Sequence, residues 1–203
     1  MSTPIASYAK EYFEGIRAAI EEIDPASLEA IGQEFRRAWQ EDKRIYILGN
    51  GGSASTSSHM ATDLGKGTAQ PGLKRFKVIG VTDNMSMVTA YANDMSYDDV
   101  FVEQLKNHVE PGDLVVGITG SGNSPNVLKA IQWAREAGAV TIGFIGFGGG
   151  KLAAMVDHQI TFSSTNYGVC EDLHLSLNHI FTQFFTRELR DLATGKTSAG
   201  TVS

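Results

Sequence analysis

Two loops rich in glycine and hydroxyl side chains carry the clearest capacity for chemistry in this chain. Residues 49–55 read Gly-Asn-Gly-Gly-Ser-Ala-Ser, and residues 119–124 read Thr-Gly-Ser-Gly-Asn-Ser. Each loop follows a short apolar run, at 45–48 and 114–118, and leads into a segment with helical periodicity. A strand that feeds such a loop gathers free backbone N–H groups at a helix N-terminus, and the hydroxyls add donors without charge. Both loops therefore suit a phosphate or another small anion.

The same residue types also form ordinary turns that bind nothing. The repeated strand–loop–helix context favours binding over that reading. Neither loop ends in the Gly-Lys-Ser/Thr of a P-loop, and neither has the Gly-x-Gly-x-x-Gly pattern with a following acidic residue. The sequence therefore predicts no nucleotide cofactor.

A second group of residues could move protons or hold a metal ion. His59 and Asp63 lie four apart, so one helical face presents both. An apolar segment near the end of the chain carries acids and histidines, which are costly on a buried helix unless paired or bound to metal: Glu171, Asp172, His174 and His179. For His59 and Asp63, the simpler alternative is an ordinary pair on the protein surface. For a histidine of the apolar segment, it is a core residue whose ring nitrogens are hydrogen-bonded.

The elements that must position these residues alternate between strands and helices. Apolar runs predict five strands, at 45–48, 76–81, 114–118, 139–145 and 158–162. Helical periodicity or position predicts helices at 54–66, 84–92, 98–108, 125–137, 151–155 and 170–192. This alternation indicates an α/β fold with a parallel sheet covered on both faces. Ligands bind beyond the carboxyl ends of such strands, which is where both loops fall.

One domain spans residues 1–192 in this interpretation. Two amphipathic helices, over about 8–23 and 28–39, make residues 1–40 a helical segment for packing or subunit contact. Residues 43–192 form the α/β core, and residues 193–203 read as a disordered tail.

Composition restricts the class of protein further. The 203 residues carry a net charge of −6, which offers no basic excess for nucleic acid or a membrane surface. A single cysteine fits a reducing compartment. No signal peptide and no apolar run of bilayer length is visible, so we expect a cytoplasmic protein.

Taken together, the motifs resemble the sugar isomerase (SIS) domain family, and within it the phosphoheptose isomerases, over nearly the whole chain. The specific features are the 49–53 loop, His59 with an acid at 63, Ala-Asn-Asp at 92–94, the 117–127 block and the acid-to-histidine run from Glu171 to His179. The resemblance implies a single SIS domain, a flavodoxin-like three-layer sandwich with a doubly wound five-stranded parallel sheet, N-terminal helices and a long C-terminal helix. It also implies a homotetramer whose active site lies at a subunit interface.

The resemblance implies roles for individual residues. The phosphate of a sugar phosphate would be held by Ser53, Thr119, Gly120, Ser121 and Ser124. The open-chain sugar would be lined by Asn50, Gly51, Gly52, Asn93, Asp94 and Glu171. One zinc ion per site would be held by His59, Asp63, Glu171 and His179, with Asp63 and His179 as the acid/base pair.

This assignment agrees with the chemistry of aldose–ketose isomerisation. The reaction passes through an enediol, so one group moves a carbon-bound proton and another moves protons on the oxygens. A carboxylate and an imidazole suit these tasks. A divalent ion with nitrogen and oxygen ligands would polarise the carbonyl, and manganese or iron would fit that ligand set as well as zinc.

Two residues depart from the family pattern, which usually has glutamate at position 63 and glutamine at position 171. Asp63 is one methylene shorter, and Glu171 adds a negative charge. Glu171 and His179 are also about 12 Å apart along an ideal helix, so they share an ion only if Glu171 precedes the helix or neighbouring subunits contribute. The nearby His174 is the main alternative to these two residues. Its position along the helix suits a subunit contact or a hydrogen bond to Asp94 or Asp98.

Two other functions fit the sequence. The chain could be a non-catalytic SIS module that binds a phosphosugar or a protein, like the family member that associates with a replication initiator. In that member the metal and acid positions are largely lost, whereas His59, Asp63 and His179 all stand here. The chain could also isomerise a different phosphosugar.

Overall fold

The computed structural model describes residues 4–196. Its five strands are β1 Arg44–Gly49, β2 Lys77–Gly80, β3 Leu114–Thr119, β4 Val140–Ile145 and β5 His158–Thr161. Its helices are α1 Ile5–Ile20, α2 Pro25–Gln40, α3 Gly52–Thr62, α4 Met85–Asp94, α5 Val102–Lys106, α6 Pro125–Glu136 and α7 Tyr167–Ala193. The predicted tail at 193–203 falls mostly outside the described residues, and Ala193 is the last residue of α7.

The strands form one parallel sheet in the order β2-β1-β3-β4-β5. This is the flavodoxin-like order of a doubly wound fold, in which successive strands are added to one side of β1 and then, from β3 onward, to its other side. The predicted fold class is confirmed. The two hydroxyl-rich loops follow β1 and β3, so they meet at the switch point, where such sheets bind their ligands.

Two apolar cores lie on opposite faces of the sheet. One buries α1, α2, α3 and α7 against strand residues such as Ile45, Val116 and Phe144. The other buries α5 and α6 against alternate residues of the same strands, including Tyr46 and Val115. Because both faces are covered, the central strands are almost continuously apolar, as the sequence suggested.

Three local features differ from the sequence prediction. The single helix expected at 98–108 is a 3-10 turn at Tyr97–Asp99 followed by the short α5. α3 ends at Thr62 and continues as a π-helical turn over Asp63–Gly67. α7 begins at Tyr167 rather than 170, because the Asn166 side chain accepts hydrogen bonds from the Gly168 and Val169 N–H groups.

His174, on α7, is completely buried against Phe162, with the ring centroids 5.8 Å apart. Neither imidazole nitrogen has a hydrogen-bond partner among residues 4–196. The predicted hydrogen bond to Asp94 or Asp98 is therefore wrong, and so is the predicted subunit contact. An imidazole without partners in an apolar core is held in its neutral form.

This burial makes the stability of the fold dependent on pH. Desolvation lowers the pKa of His174 to about 4, whereas an unfolded histidine titrates near 6.5. Between these values the unfolded chain binds a proton that the folded chain excludes, so stability falls as the pH drops. We expect the free energy of unfolding to lose about 3 kcal/mol from this group between pH 7 and pH 4, as measured by urea denaturation.

His174→Leu should remove that part of the pH slope, while His108→Gln, at an exposed position, should retain it. An unchanged slope in the His174 variant would contradict the assignment.

No helix within the described range combines the length and the apolarity needed to cross a bilayer.

Candidate active site

The first loop turns sharply from β1 into α3. Gly51 has φ +56°, a backbone conformation that favours glycine, and it occupies the N-cap position of α3. Gly49 allows β1 to pack closely, since a Cβ there would lie 2.7 Å from the Ile118 carbonyl oxygen of β3. The loop therefore brings the N-terminus of α3 directly beside the end of the neighbouring strand.

The second loop is fixed by its own polar groups and by the loop that follows β4. The Thr119 and Ser121 hydroxyls accept hydrogen bonds from the Gly122 and Asn123 N–H groups, each at 3.2 Å. The Asn123 side chain accepts from the Lys151 N–H at 3.1 Å. The Thr119 and Ser121 hydroxyls thus already accept one hydrogen bond each from the backbone of their own loop.

The two loops enclose a cavity of about 300 Å³ at the carboxyl end of the sheet. Its lining consists of Asn50, Gly51, Gly52, Ser53, Ile118, Thr119, Gly120, Ser121, Ser124, Tyr167 and Glu171. In the described part of the chain, the Ser53 and Ser124 hydroxyls have no protein hydrogen-bond partner, although Ser124 is the N-cap residue of α6. These two hydroxyls are free to donate to an anion at the helix N-termini.

Asn50 is held in a hydrogen-bond network at the edge of this cavity. Its side chain and that of buried Asn126 exchange two hydrogen bonds, at 2.9 and 3.0 Å. The Tyr97 hydroxyl also donates to Asn50 Oδ1 at 2.9 Å. The Asn50 amide therefore positions the loop, and sequence reasoning did not anticipate its partners Asn126 and Tyr97.

The structure does not place Asn93 and Asp94 on the cavity lining. Both are exposed at the end of α4, where the Asn93 amide donates to Asp94 Oδ1 at 2.8 Å. Tyr167, which the sequence did not single out, does line the cavity. Its ring lies against Gly120, where a Cβ would come within 2.8 Å of the ring, and packs on Phe147 with centroids 4.5 Å apart.

A second group of residues, the histidine–aspartate cluster, consists of His59, Asp63 and His179. One ligand atom from each residue lies within 4.8 Å of the others. Asp63 Oδ2 is 3.1 Å from His59 Nε2 and 3.9 Å from His179 Nε2. The histidine side chains are 45% exposed, so a ligand can reach the cluster from solvent.

A buried amide orients the carboxylate of this cluster. The Asn178 side chain donates to Asp63 Oδ2 at 3.0 Å, and the Thr182 hydroxyl donates to Asn178 Oδ1 at 3.2 Å. Asp63 lies where α3 passes into the π-helical turn, a distortion common at functional sites. The sequence identified the carboxylate, but not the neighbouring-helix residues that hold it.

Glu171 does not belong to the histidine–aspartate cluster. It lies within α7, eight residues before His179, so about 12 Å of helix separates them. The expected way to bring both onto one ion, a helix that begins after Glu171, is wrong because α7 begins at Tyr167. Within one chain, Glu171 faces the cavity instead.

The donor set of the cluster fits a divalent metal ion. Two imidazole nitrogens and one carboxylate oxygen form a three-ligand set of the kind found in catalytic zinc sites, which keep a further position open. The same set would accept manganese or iron.

The class of the protein follows from the fold and the cavity. A doubly wound parallel sheet with a hydroxyl-lined cavity at its switch point is typical of ligand-binding α/β proteins. The histidine–aspartate cluster lies on α3, on the π-helical turn that continues it and on α7, and α3 and α7 also border the cavity.

Comparisons with known proteins identify the family. The SIS domain model matches residues 10–146. The chain is 37% identical to the phosphoheptose isomerase of Rhodospirillum rubrum over 77% of its own length and 82% of that protein. It is 32% identical to the phosphoheptose isomerase of Fusobacterium nucleatum, over 88% and 91% of the two lengths.

A solved structure agrees with this result. The phosphoheptose isomerase of Neisseria gonorrhoeae superposes with a TM-score of 0.82 at 27% identity, covering 90% of this chain and 97% of that one. The chain therefore belongs to the SIS domain family, in its phosphoheptose isomerase subfamily, and it is an isomerase.

Proposed function

We propose that this protein interconverts sedoheptulose 7-phosphate and D-glycero-D-manno-heptose 7-phosphate. One observation carries the proposal: α3 and α7 border the cavity at one end, and further along these two helices and the π-helical turn after α3 hold the histidine–aspartate cluster. The relatives of R. rubrum, F. nucleatum and N. gonorrhoeae, all named phosphoheptose isomerases, support the choice of substrate.

In this proposal, the phosphate binds between the two loops. The hydroxyls of Ser53 and Ser124 donate to it, together with the backbone N–H groups at the N-termini of α3 and α6. Thr119 and Ser121 complete the phosphate-binding wall, and Gly120 lets the substrate approach the backbone.

Asp63 and His179 carry out the proton transfers. Asp63 removes a proton from C1 of the ketose and returns it to C2, while His179 moves a proton between the two oxygens, so the reaction needs no external oxidant. Asn178 holds Asp63 Oδ2, which fixes the carboxylate against the reacting carbons. A metal ion held by His59, Asp63 and His179, for which zinc is our choice, would polarise the carbonyl when bound.

The complete site is shared between two chains of a homotetramer. The cavity and the cluster of one chain are about 10–12 Å apart along α3 and α7, so the open-chain sugar phosphate would have to be fully extended to reach both within one chain. Ile180 and Phe184, close to His179 on α7, expose about half of their surface, as do several apolar residues of α1. Such a surface favours burial against another copy of the chain. A neighbouring chain would then supply the cluster, and Asn93 and Asp94 would reach the sugar from outside the cavity of their own chain.

The proposal is tested by incubating the purified protein with sedoheptulose 7-phosphate and following the aldose by NMR. We expect turnover that a chelator lowers at least tenfold and that added zinc, manganese or iron restores to different extents. Fructose 6-phosphate and ribulose 5-phosphate serve as shorter competing substrates. Faster turnover of either would replace the proposed substrate, and full activity in metal-free protein would remove the metal from the proposal.

The family assignment and the intact histidine–aspartate cluster both argue against a non-catalytic SIS module. A regulator has no need of two imidazoles and a carboxylate within 4.8 Å of one another.

A further inference from the structure

Three polar groups converge on one oxygen of the Asp63 carboxylate. Asp63 Oδ2 accepts a hydrogen bond from the Asn178 side chain at 3.0 Å and lies 3.1 Å from His59 Nε2 and 3.9 Å from His179 Nε2. The other oxygen, Oδ1, forms no hydrogen bond with any residue in the range 4–196. The two oxygens of one carboxylate therefore have different surroundings.

The orientation of the Asn178 amide is determined by its two partners. An ionised carboxylate can only accept hydrogen bonds, so the NH2 group of Asn178 must face Asp63. The amide oxygen then faces the Thr182 hydroxyl, which donates to it at 3.2 Å. Both Asn178 and Thr182 are buried, so the amide has little freedom to turn.

An amide in this position is costly unless both of its ends are paired. Nearby on α7, Leu177 and Phe181 pack into the apolar core, and a polar side chain buried among such residues loses its hydrogen bonds to water. An apolar residue would fill the position of Asn178 without that cost. What the amide adds is its hydrogen bond to Asp63, a residue 115 positions away in the chain.

We propose that Asn178 is a positioning residue that assigns the two oxygens of Asp63 to different tasks. Oδ2, held by Asn178, faces the two histidines and would serve as the ligand of a metal ion shared with them. Oδ1 is the oxygen that takes up the carbon-bound proton. This inference rests on the proposed function, because it concerns the same base and the same reaction.

The proton transfer through Oδ1 is balanced within the site. The C1–H bond of the ketose breaks, its proton forms an O–H bond with Oδ1, and its electron pair becomes the C1–C2 double bond of the enediol. His179 donates a proton to the C2 oxygen and then takes one from the C1 oxygen, while Oδ1 returns its proton to C2. Without Asn178, the carboxylate is free to turn and Oδ1 is no longer held in place.

The test uses Asn178→Leu, which replaces the amide by an apolar group with the same number of side-chain heavy atoms. His174→Leu is the matched control, because it removes another fully buried polar side chain of α7, one that packs on Phe162. Turnover by the full-length protein is measured with sedoheptulose 7-phosphate and with the same sugar carrying deuterium in place of both C1 hydrogens. Circular dichroism verifies folding, and elemental analysis gives the metal content.

We expect Asn178→Leu to lower kcat about 10²-fold, the effect of misplacing a reacting group by about 1 Å. KM should stay close to the wild-type value, because the phosphate-binding residues are untouched. The deuterium isotope effect on kcat should exceed that of the wild type, since breakage of the C1–H bond becomes the slow step. A partly unfolded sample lowers kcat without raising the isotope effect. Metal content should equal that of the wild type, and His174→Leu should match the wild type in every measurement.

Several outcomes would overturn the inference: a wild-type kcat in Asn178→Leu, a slower rate with an unchanged isotope effect, loss of metal along with the rate, or the same changes in His174→Leu. If Asn178→Leu does not fold, Thr182→Val decides, because it keeps the side-chain shape but leaves the Asn178 amide oxygen without its donor. Its kcat should fall by about threefold or more with a raised isotope effect, and wild-type values would contradict the inference.

Failure of this inference is distinct from failure of the proposed function. A wild type that does not convert sedoheptulose 7-phosphate contradicts the proposed function itself. Conversion by the wild type, with kcat and isotope effect unchanged in Asn178→Leu, overturns only the role of Asn178.

Discussion

Replacing Asp63 by asparagine is expected to lower kcat for sedoheptulose 7-phosphate by about 10²- to 10⁴-fold, the contribution of a positioned proton-transfer group. Asparagine cannot take up the carbon-bound proton, yet its oxygen can still accept from Asn178, so the fold should be unaffected. The rate is measured at saturating substrate, and metal content is determined by elemental analysis on the same samples. Loss of rate with the metal retained identifies Asp63 as the base.

Two further variants sharpen this test. Asp63→Glu lengthens the acid by one methylene and should keep measurable activity, because the carboxylate is retained. Misplacement by about 1 Å still costs about 10²-fold, so we expect a reduced rate rather than an unchanged one. Asp98→Asn, at an exposed position, controls for the loss of a negative charge. Activity of Asp63→Asn equal to that of Asp98→Asn would exclude Asp63 from catalysis.

The second large effect concerns the sharing of one site by two chains. We expect the double variant Ser53→Ala/Ser124→Ala to lose about 10²- to 10⁴-fold in kcat/KM, since each hydroxyl gives a hydrogen bond to a charged phosphate worth about 1.5–3 kcal/mol. Mixed with Asp63→Asn chains, it should regain activity. In such an oligomer, the intact cavity of an Asp63→Asn chain meets the intact histidine–aspartate cluster of its neighbour.

The mixing experiment requires subunit exchange, achieved by co-expression of two differently tagged chains and purification on both tags. Light scattering gives the mass of the assembly, for which we expect four chains. Each variant alone, and each co-expressed with itself, provides the background rate. Mixed oligomers with no more activity than this background would show that the site lies within one chain.

Much of the architecture follows from local patterns. The apolar runs at Ile45–Leu48 and at 114–118 are strands because their residues are buried on both sides of the sheet. The expected helix at 98–108 failed because its polar residues form tertiary contacts: the Asp99 carboxylate pairs with Lys129 of α6 and accepts from the Ser96 hydroxyl at 2.6 Å. Those partners are distant in sequence or compete with helical hydrogen bonds, so periodicity could not reveal them.

The sequence by itself determined the succession of elements along the chain, in which a strand, a hydroxyl-rich loop and a helix follow one another. It also identified the residue types suited to binding anions and transferring protons. The four-residue spacing of His59 and Asp63 follows from helix geometry alone, and the structure places them 3.1 Å apart. Such features depend on neighbours along the chain, which is why they can be read directly.

Only the tertiary structure decided how these groups combine. The packing of α7 beside α3 brings His179 and Asn178 to Asp63, and it separates Glu171 from them by placing it over Gly52 in the cavity. Glu171 is separated from His179 because α7 begins at Tyr167, which places Glu171 inside the helix. The Asn166 side chain caps this helix start. Contacts between residues more than a hundred positions apart depend on how helices pack across the sheet, a property that no local pattern of residues contains.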